Sequence, residues 1–436
     1  MEELLQLKIC GIKNIENEVV INFINTIVGK RITSIDKVKG IFGYNGAGKT
    51  AIISAVDIYK NIVMDAKYLQ QNDVQEELCK LVNYNIKKLS VGVLYHLKDD
   101  LLLKHTIVLG YKELIDSYYI KREEIAILSD RSINGKYKTI IEKNENQIGG
   151  VNKEFDSSLI DDIRGADLEM SSIVSYAVKK ILSDESIEET IAYSIIKKLL
   201  FQIYFSANNI HVFLNQVDKH KGYKIDKEKI KEIYKTLEYD KDNYLGNFVD
   251  VYTDEEIISS NLLSIYEEEN KKLEKFIKYF KPELRAIELI KQEEKNFIHV
   301  RRLFKYERYN VEFEFESSGI KQLVKLFGYL SKCASGGVVF IDEMDTNLNS
   351  AYFSALISFF ANYGKGQLVF TTHNLEAMNS LKTKRKSILV LGVDSKVDIW
   401  VGKGNRSPVK DYLNGNIPNS PMNVEDFDFV NIFFGE

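Results

Sequence analysis

Residues Gly43–Thr50 read GYNGAGKT, and the rest of the fold has to be built around this stretch. It fits the pattern GxxxxGK[ST], in which backbone N–H groups of a glycine-rich turn surround phosphate oxygens. The stretch Lys37–Phe42 (KVKGIF) before it predicts a β-strand, and apolar residues up to about Met64 predict a helix after it. A phosphate loop needs this context, because the helix N-terminus adds a positive dipole. The sequence therefore predicts a nucleotide site.

Two positions of the loop have specific expected roles. Lys49 is expected to reach the β- and γ-phosphates, and the Thr50 hydroxyl is expected to ligate Mg²⁺. The alternative is a chance match in a glycine-bearing turn, which average glycine usage puts at roughly one or two per cent for a chain of this length. The predicted nucleotide-binding residues of the loop are Gly43, Asn45, Gly46, Ala47, Gly48, Lys49 and Thr50.

A second apolar strand ends in two acids. The stretch GGVVFIDEMDTN places Asp342 and Glu343 directly after that strand. An acid in this position can hold Mg²⁺ on the phosphates, and its neighbour can polarise the attacking water. Two carboxylates that merely end a strand are the alternative. The second acid favours hydrolysis over group transfer, because a module of the adenylate kinase type does not need it.

A third apolar strand leads into a histidine. In QLVFTTHN the strand ends at Thr371, Thr372 and His373. A lone histidine is more often structural or exposed, but this one follows the acidic pair by one strand–helix unit. We expect His373 to contact the γ-phosphate or the catalytic water. The other histidines show no metal-ligand spacing and have no predicted role.

Composition indicates an ordinary globular protein. The chain has 436 residues, 44% hydrophobic and 28% charged, and its net charge of −4 gives no overall basic field for nucleic acid. Cys10, Cys79 and Cys333 lie far apart, which argues against disulfides or a thiolate zinc site and favours a reducing, cytoplasmic compartment. No apolar run reaches the roughly 18 residues of a membrane span, so no membrane association is expected.

The strand and helix patterns predict three segments. Residues 1–154 combine the phosphate loop with successive strands that we expect to form an antiparallel lobe. Residues 155–290 are charged and helix-periodic, which predicts a mainly helical insertion. Residues 291–436 return to short apolar strands between helices, which predicts a parallel sheet buried on both faces. The expected fold is α/β, with a head assembled from both ends of the chain.

The stretch FEFESSGIKQLVKLF, residues 313–327, predicts a strand that turns into a helix. Ser317 or Ser318 is expected to cap that helix. Alternating apolar residues of the strand are expected to face a core, namely Val311, Phe313 and Phe315. The predicted buried stripe of the helix consists of Ile320, Leu323, Val324, Phe327 and Leu330.

Taken together, GYNGAGKT, ESSGIKQL, VVFIDE and TTHN occur in the order found in ABC-class ATPase heads. The chain resembles the soluble SMC/RecF/OLD-like branch, in which a helical segment interrupts the head between phosphate loop and signature. The resemblance covers about residues 1–150 and 290–436. In general appearance the chain is similar to stand-alone ATPases of bacterial anti-phage systems of the Septu, retron and PARIS types. It implies an ABC-type head with a P-loop core sheet, an antiparallel β lobe and a mainly helical insertion.

The resemblance also implies residue roles. It assigns Asp342 to Mg²⁺, makes Glu343 the catalytic glutamate and makes His373 the switch histidine. The stretch MDTNLN after Glu343 falls where the D-loop belongs, with Asp345 as its acidic member. Many relatives carry a histidine at the position of Asn349, so that residue is given no role.

The signature departs from the transporter form LSGGQ. Ser318 and Gly319 align with its serine and first glycine, whereas Ile320 and Lys321 replace its last two residues. In this class two heads face each other, and each signature contacts the ATP held by the other head. The resemblance therefore implies ATP and Mg²⁺ as cofactors and at least a homodimer with two shared ATP sites.

The leading functional hypothesis is a sensor or regulatory ATPase in anti-phage defence, acting with a separately encoded effector such as a nuclease or toxin. The alternative is a DNA-binding clamp ATPase of the RecF/SMC type in DNA repair or chromosome maintenance. A transporter subunit fits poorly because the signature is degenerate and the insertion is long, and a scaffold that binds nucleotide without hydrolysis stays open. Nucleic-acid binding would use local basic residues, namely KTKRK (Lys382–Lys386), Arg301, Arg302, Lys305 and Arg308.

Overall fold

The computed structural model describes residues 3–28, 31–97, 101–128, 137–183, 190–214, 255–294, 297–392, 394–402, 406–420 and 433. Within these ranges the strands form a seven-stranded, a six-stranded and a four-stranded sheet and a separate two-stranded hairpin. No helix in the described part of the chain is both long and apolar enough to cross a membrane.

The seven-stranded sheet is the antiparallel lobe that the sequence predicts. Its spatial order is β10-β9-β8-β7-β6-β1-β2, and every neighbouring pair is antiparallel. The N-terminal strands are β1 (Glu3–Cys10), β2 (Val19–Asn22), β3 (Ile24–Val28), β4 (Arg31–Ile35), β5 (Val38–Gly43), β6 (Lys88–His96), β7 (Leu102–Lys112), β8 (Ser117–Leu128), β9 (Lys138–Asn144) and β10 (Gln147–Val151). Strands β3 and β4 form the separate hairpin.

The six-stranded sheet is the core of the head. Its spatial order is β11-β16-β17-β5-β18-β19, parallel except for the pair β18–β19. All residues of β5, β16, β17 and β18 are buried, which confirms the predicted sheet buried on both faces. The strands that join β5 are β11 (Ile210–Phe213), β16 (Val338–Ile341), β17 (Gln367–Thr371), β18 (Ile388–Leu391) and β19 (Val397–Ile399).

Helices cover both faces of this sheet. The described helices are α1 (Lys49–Met64), α2 (Asn72–Leu81), α3 (Ser158–Gly165), α4 (Ile173–Ser183), α5 (Ile191–Asn208), α6 (Leu263–Phe280), α7 (Ser318–Ala334), α8 (Ser350–Tyr363), α9 (Glu376–Leu381) and α10 (Pro408–Leu413). Ile41 and Phe340 belong to the apolar core shared with α1, α4 and α5. Phe42 and Val339 belong to the core shared with α7, α8 and α9. Neighbouring strand residues thus serve opposite faces, as the period of two requires.

The first strand of the chain is attached to the C-terminal half by one side chain. Gln367, the first residue of β17, is almost fully buried. Its Oε1 accepts a hydrogen bond of 2.8 Å from the Leu4 backbone N–H, and its Nε2 donates one of 2.7 Å to the Leu4 carbonyl oxygen. Both polar groups of a backbone position in β1 are therefore satisfied from the core sheet.

Residues 155–290, predicted to be a mainly helical insertion, contain α3 to α6 but also strands. Strand β11 lies beside β16 in the core sheet, so this segment contributes to the head itself. The sequence missed β11 because four apolar residues after a long helix cannot be separated from it by periodicity. Helix α6 packs on a sheet of β12 (Glu255–Ser259), β13 (Leu284–Glu294), β14 (Phe297–Tyr306) and β15 (Asn310–Glu312). Residues 215–254 of the segment lie outside the described part.

The predicted strand before α7 is shorter than expected. Strand β15 ends at Glu312, and Phe313–Phe315 form a 3-10 turn. Phe313 is buried, but Phe315 is 73% exposed, so the prediction that Phe315 faces a core is wrong. The alternation of apolar and acidic residues continues beyond Glu312, where the chain stops pairing with β14 and turns towards α7. The helix itself is as predicted: the Ser317 Oγ accepts from the Ile320 N–H at 3.4 Å, and the predicted stripe is buried.

A buried polar chain links α1 to the antiparallel lobe. The Tyr59 hydroxyl lies 2.8 Å from His105 Nδ1, and His105 Nε2 lies 3.0 Å from Glu123 Oε1. The Glu123 carboxylate also accepts from the Ser172 hydroxyl at 2.6 Å and from the Ile173 N–H, the first of α4, at 2.8 Å. Burial alone would raise the pKa of Glu123, but these donors and the charge of Lys143 outweigh it and hold that pKa below its usual value.

Candidate active site

The loop between β5 and α1 lies at the carboxyl end of the core sheet, where parallel α/β sheets place their ligands. Gly43, Gly46 and Gly48 have φ values of +146°, +79° and +105°. A Cβ on Gly43 would lie 2.4 Å from the Leu391 carbonyl oxygen in β18. The predicted loop therefore needs glycine both for its backbone conformation and for its approach to the neighbouring strand.

The turn between β1 and β2 supports this loop. Asn14 Nδ2 donates a hydrogen bond of 2.8 Å to the Gly46 carbonyl oxygen. A Cβ on Gly48 would lie 2.9 Å from Asn14 Oδ1, so the two segments are in direct contact. Nothing in the local sequence around Asn14 marks it as part of the site, because its partner lies 32 positions later.

The Lys49 ammonium lies over the loop. Its Nζ donates to the carbonyl oxygens of Gly43 at 2.9 Å and Tyr44 at 2.8 Å. Burial lowers the pKa of this amine, while the charges of Asp342, Glu343 and, less strongly, Asp345 act in the opposite direction. The acids that follow β16 are thus electrostatic neighbours of the lysine, as the predicted roles require.

Asp342 and Thr50, the predicted Mg²⁺ ligands, are brought together. Asp342 is 2% exposed, and its Oδ1 accepts a hydrogen bond of 2.6 Å from the Thr371 hydroxyl. The Thr50 hydroxyl acts on the same carboxyl group and lowers its pKa. Burial raises the pKa of Asp342, and the two hydroxyls oppose that rise.

This donor set fits Mg²⁺. In the described part of the chain no three His, Cys, Asp or Glu side chains cluster as a metal site. Mg²⁺ in nucleotide sites uses one or two carboxylates and completes its shell with phosphate oxygens and water. One buried carboxylate beside a hydroxyl, next to a phosphate loop, meets that requirement.

Glu343 has a constrained backbone. Its φ is +48°, in the left-handed region, and its side chain is half-buried. Its N–H donates to Thr371 Oγ1 at 2.8 Å, and the Met344 N–H donates to the Thr371 carbonyl oxygen at 3.0 Å. Sequence reasoning gave Thr371 no role, although this residue holds both peptides of the acidic turn.

His373 is exposed and follows β17 by two positions. Because β17 lies between β16 and β5, its carboxyl end lies between Asp342 and the phosphate loop. The segment after His373 is fixed by the Asn374 amide, which donates to Ser350 Oγ at 2.9 Å. Sheet order therefore places the predicted switch histidine at the same edge as the other predicted residues.

The predicted signature lies at the start of α7. Ser318 is the first residue of that helix and is exposed, and Gly319 is half-buried. The Asn347 amide donates to Gln322 Oε1 at 2.7 Å, which connects the first turns of α7 to the segment after Glu343. Asn349, which was given no role, caps α8 by accepting from the Ala351 N–H at 2.9 Å.

Residues 205–379 match the family described as "AAA domain, putative AbiEii toxin, Type IV TA system". The matched segment contains the signature, the acidic pair and His373, in the predicted order. The family description names an AAA domain, which agrees with the predicted ATPase class, while the likeness to anti-phage ATPases stays a prediction.

Several solved structures are similar to this chain. The Smc head domain of Pyrococcus furiosus, bound to the C-terminal domain of ScpA, is 15% identical over 92% of this chain and 97% of that chain, with a TM-score of 0.44. The SMC head domain of Thermotoga maritima is 15% identical over 92% and 100%, with a TM-score of 0.34. The recombination mediator RecF with ATP is 13% identical over 92% and 98%, with a TM-score of 0.39. At these values the likenesses carry no functional argument. No curated protein matches the sequence.

Several basic residues considered for nucleic-acid binding have other partners. Arg302 is 2% exposed and forms an ion pair of 3.1 Å with Glu256. Two of its neighbours pair with acids on adjacent strands, namely Arg301 with Glu312 at 2.9 Å and Lys305 with Glu288 at 2.6 Å. The Lys386 amine donates to the backbone carbonyl oxygens of Ile24 and Asn25, both in β3. The three ion pairs neutralise part of the local positive charge on which the clamp alternative depends, whereas Lys386 keeps its charge.

Proposed function

We propose that this chain binds ATP with Mg²⁺ at the loop Gly43–Thr50 and hydrolyses the γ-phosphate with Glu343 as general base. The observation that carries the proposal is the sheet order, in which β5 and β16 flank β17 and bring Lys49 and Thr50 close to Asp342, although these positions are far apart in the sequence. Glu343 follows Asp342 directly and is half-buried at the mouth of the site. A carboxylate in that position can accept a proton from water that attacks the phosphate.

Each residue then has a defined task. The loop N–H groups and the Lys49 ammonium hold the phosphates, with the N-terminus of α1 adding a positive dipole. Thr50 and Asp342 would hold Mg²⁺, which supplies charge neutralisation on the β- and γ-phosphates when bound. His373, at the end of β17, is proposed to contact the γ-phosphate. The site requires no covalent intermediate, because positioning and charge stabilisation are sufficient for phosphoryl transfer to water.

Glu343→Gln tests the general base. The substitution preserves shape and removes proton acceptance, so we expect ATP turnover to fall about 100-fold or more while ATP binding stays within about threefold. The measurement is phosphate release, with a fluorescent ATP analogue for binding. Glu376→Gln, an exposed acid in the first turn of α9, is the control and should turn over at the wild-type rate. A wild-type rate in Glu343→Gln would show that the base is wrongly assigned.

We also propose that two copies share two ATP sites. Ser318 and Gly319 begin the seventeen-residue helix α7, and the Ser318 side chain is exposed rather than packed inside the head. A helix N-terminus with a free serine and a glycine suits an incoming phosphate group from outside the molecule. ATP would then bridge the two heads, and hydrolysis would release them.

For the biological role we propose a regulatory ATPase of anti-phage defence with a separately encoded effector. The matching family is described by a putative toxin of a type IV system, which supports a defence context over a housekeeping one. Co-purification with the product of a neighbouring gene, and hydrolysis indifferent to DNA, would support this role. Hydrolysis stimulated by DNA with a steep salt dependence would instead favour the clamp ATPase.

A further inference from the structure

We propose that Thr371 is the positioning residue of the hydrolytic site, because its single hydroxyl fixes both the Asp342 carboxylate and the Glu343 backbone. The inference rests on the proposed function, since it takes Asp342 and Glu343 as the residues that act on the nucleotide. Thr371 would act through them and need not contact the nucleotide.

The direction of each hydrogen bond at Thr371 is determined. The Glu343 N–H can only donate, so the Thr371 oxygen accepts it, at 2.8 Å. The one hydroxyl proton is then committed to Asp342 Oδ1, at 2.6 Å. The hydroxyl thus accepts one hydrogen bond and donates one, and one oxygen of Asp342 is fixed in its orientation.

The same residue controls the turn that carries Glu343. Left-handed φ is unfavourable for glutamate, so the conformation at Glu343 must be held by its surroundings. Thr371 holds the N–H of Glu343 through its hydroxyl and the N–H of Met344 through its carbonyl oxygen. Both acceptors belong to β17, a fully buried strand between β16 and β5. The glutamate is thereby set relative to the phosphate loop, which extends from β5.

Packing alone does not explain a threonine here. Thr371 is 0% exposed and ends the strand QLVFT, where valine would fill the same volume. Valine would leave the Asp342 oxygen and the Glu343 N–H without their buried partner. The hydroxyl is therefore what distinguishes threonine from valine at this position. Its removal would leave a buried acceptor and a buried donor unsatisfied, which costs free energy.

Thr371→Val tests the hydroxyl at constant shape. We expect kcat for ATP to fall about 10- to 100-fold while KM and the affinity for a fluorescent ATP analogue with Mg²⁺ change less than about threefold. Thr371→Ser keeps the hydroxyl and should recover kcat to within about threefold of wild type. The matched control is Thr106→Val in β7, whose buried hydroxyl has no hydrogen-bond partner among the described residues, and its kinetics should be those of wild type.

The outcomes separate this inference from the proposed function. If wild type hydrolyses ATP, Glu343→Gln does not, and Thr371→Val turns over normally, the positioning role is wrong. A loss in Thr371→Val that Thr371→Ser fails to recover is equally contrary, because it assigns the effect to packing. Should Thr371→Val not fold, Thr371→Ala and Thr371→Ser form the comparison, and equal kcat in the two would overturn the role. If Glu343→Gln itself retains turnover, the proposed function fails first.

Discussion

Gly43 is confined by the backbone of a neighbouring strand. Its φ is +146°, and an added Cβ would approach the Leu391 carbonyl oxygen to 2.4 Å. We expect Gly43→Ala to lower the free energy of unfolding by about 2–4 kcal/mol, because backbone strain and overpacking add. Urea denaturation measures this loss. Gly149→Ala is the matched control, since no atom of the part of the chain that the structure describes lies within 4 Å of its added Cβ. Equal midpoints for the two variants would show that the close approach is not present in solution.

The residues of the candidate site differ in how far the sequence predicts them. Lys49 and Asp342 follow from local patterns, because phosphate and Mg²⁺ chemistry restricts both residue type and position. The role of Thr371 cannot be predicted in this way, because threonine is common in strands. Its hydroxyl reaches the residues after β16 only because β17 lies beside β16 in the sheet. The role of Asn14 cannot be predicted for the same reason, since only the folded chain brings its side-chain amide to the Gly46 carbonyl oxygen.

At the scale of the element, Glu123 joins β8 to the N-terminus of α4 and, through His105, to α1. Glu123→Gln should destabilise the protein by about 3 kcal/mol at neutral pH, because a buried carboxylate with several donors is replaced. The pKa of Glu123 is lower in the folded protein than in the unfolded chain, so its contribution is present above the ordinary glutamate pKa and is lost as pH falls through the folded value.

The pH series makes this prediction specific. The stability difference between Glu123→Gln and wild type should be largest near pH 7 and should shrink below about pH 4. Thermal unfolding across that range measures it. Glu113→Gln serves as the control, because its carboxylate pairs with Lys87 at 3.2 Å but is 81% exposed. A difference that is constant with pH would exclude an ionised Glu123.

Element prediction succeeded where a pattern is long and failed where it is short. The lobe strands and α1 have enough residues to show their period, and they lie where the sequence predicts them. Strand β11 has four residues after an eighteen-residue helix, and no local signal separates the two. The alternation of apolar and acidic residues continues to Phe315, but the pairing of β15 with β14 ends at Glu312. The alternation therefore predicts a strand that is longer than the one that forms.

At the scale of the whole molecule, the shared-site proposal depends on Ser318. Ser318→Arg places a long side chain at an exposed helix N-terminus, where its bulk blocks the close approach of a second head and its charge is unfavourable beside the positive end of the helix dipole. We expect nucleotide binding within about threefold of wild type, hydrolysis reduced at least about tenfold, and no ATP-dependent dimer. Sedimentation with Glu343→Gln as background tests the dimer, because that variant should retain ATP.

The control for Ser318→Arg carries the same substitution at the other end of the same helix. Ser335→Arg lies at the opposite end of α7, where Ser335 is exposed and forms the C-cap, and it should dimerise and hydrolyse normally. If Ser318→Arg keeps wild-type hydrolysis, the two heads do not share their sites. The division into segments 1–154, 155–290 and 291–436 stays a prediction. Strand β11 of the middle segment pairs with β16 of the last segment, so this strand belongs in space to the core sheet.

The position of β5 has a consequence for biosynthesis. Its neighbours in the sheet, β17 and β18, follow it by more than 300 residues. The Leu4 backbone likewise lacks its hydrogen-bond partner until Gln367 has been synthesised. At about 5–20 residues per second, roughly 20–70 s separate the emergence of Gly43 from that of Leu391 on the ribosome. During that interval an apolar strand has no partner on either edge, which exposes it to aggregation or to chaperones. The proposed nucleotide site can therefore form only after β17 and β18 have been synthesised, so fragments that end before Gln367 should be unable to capture ATP.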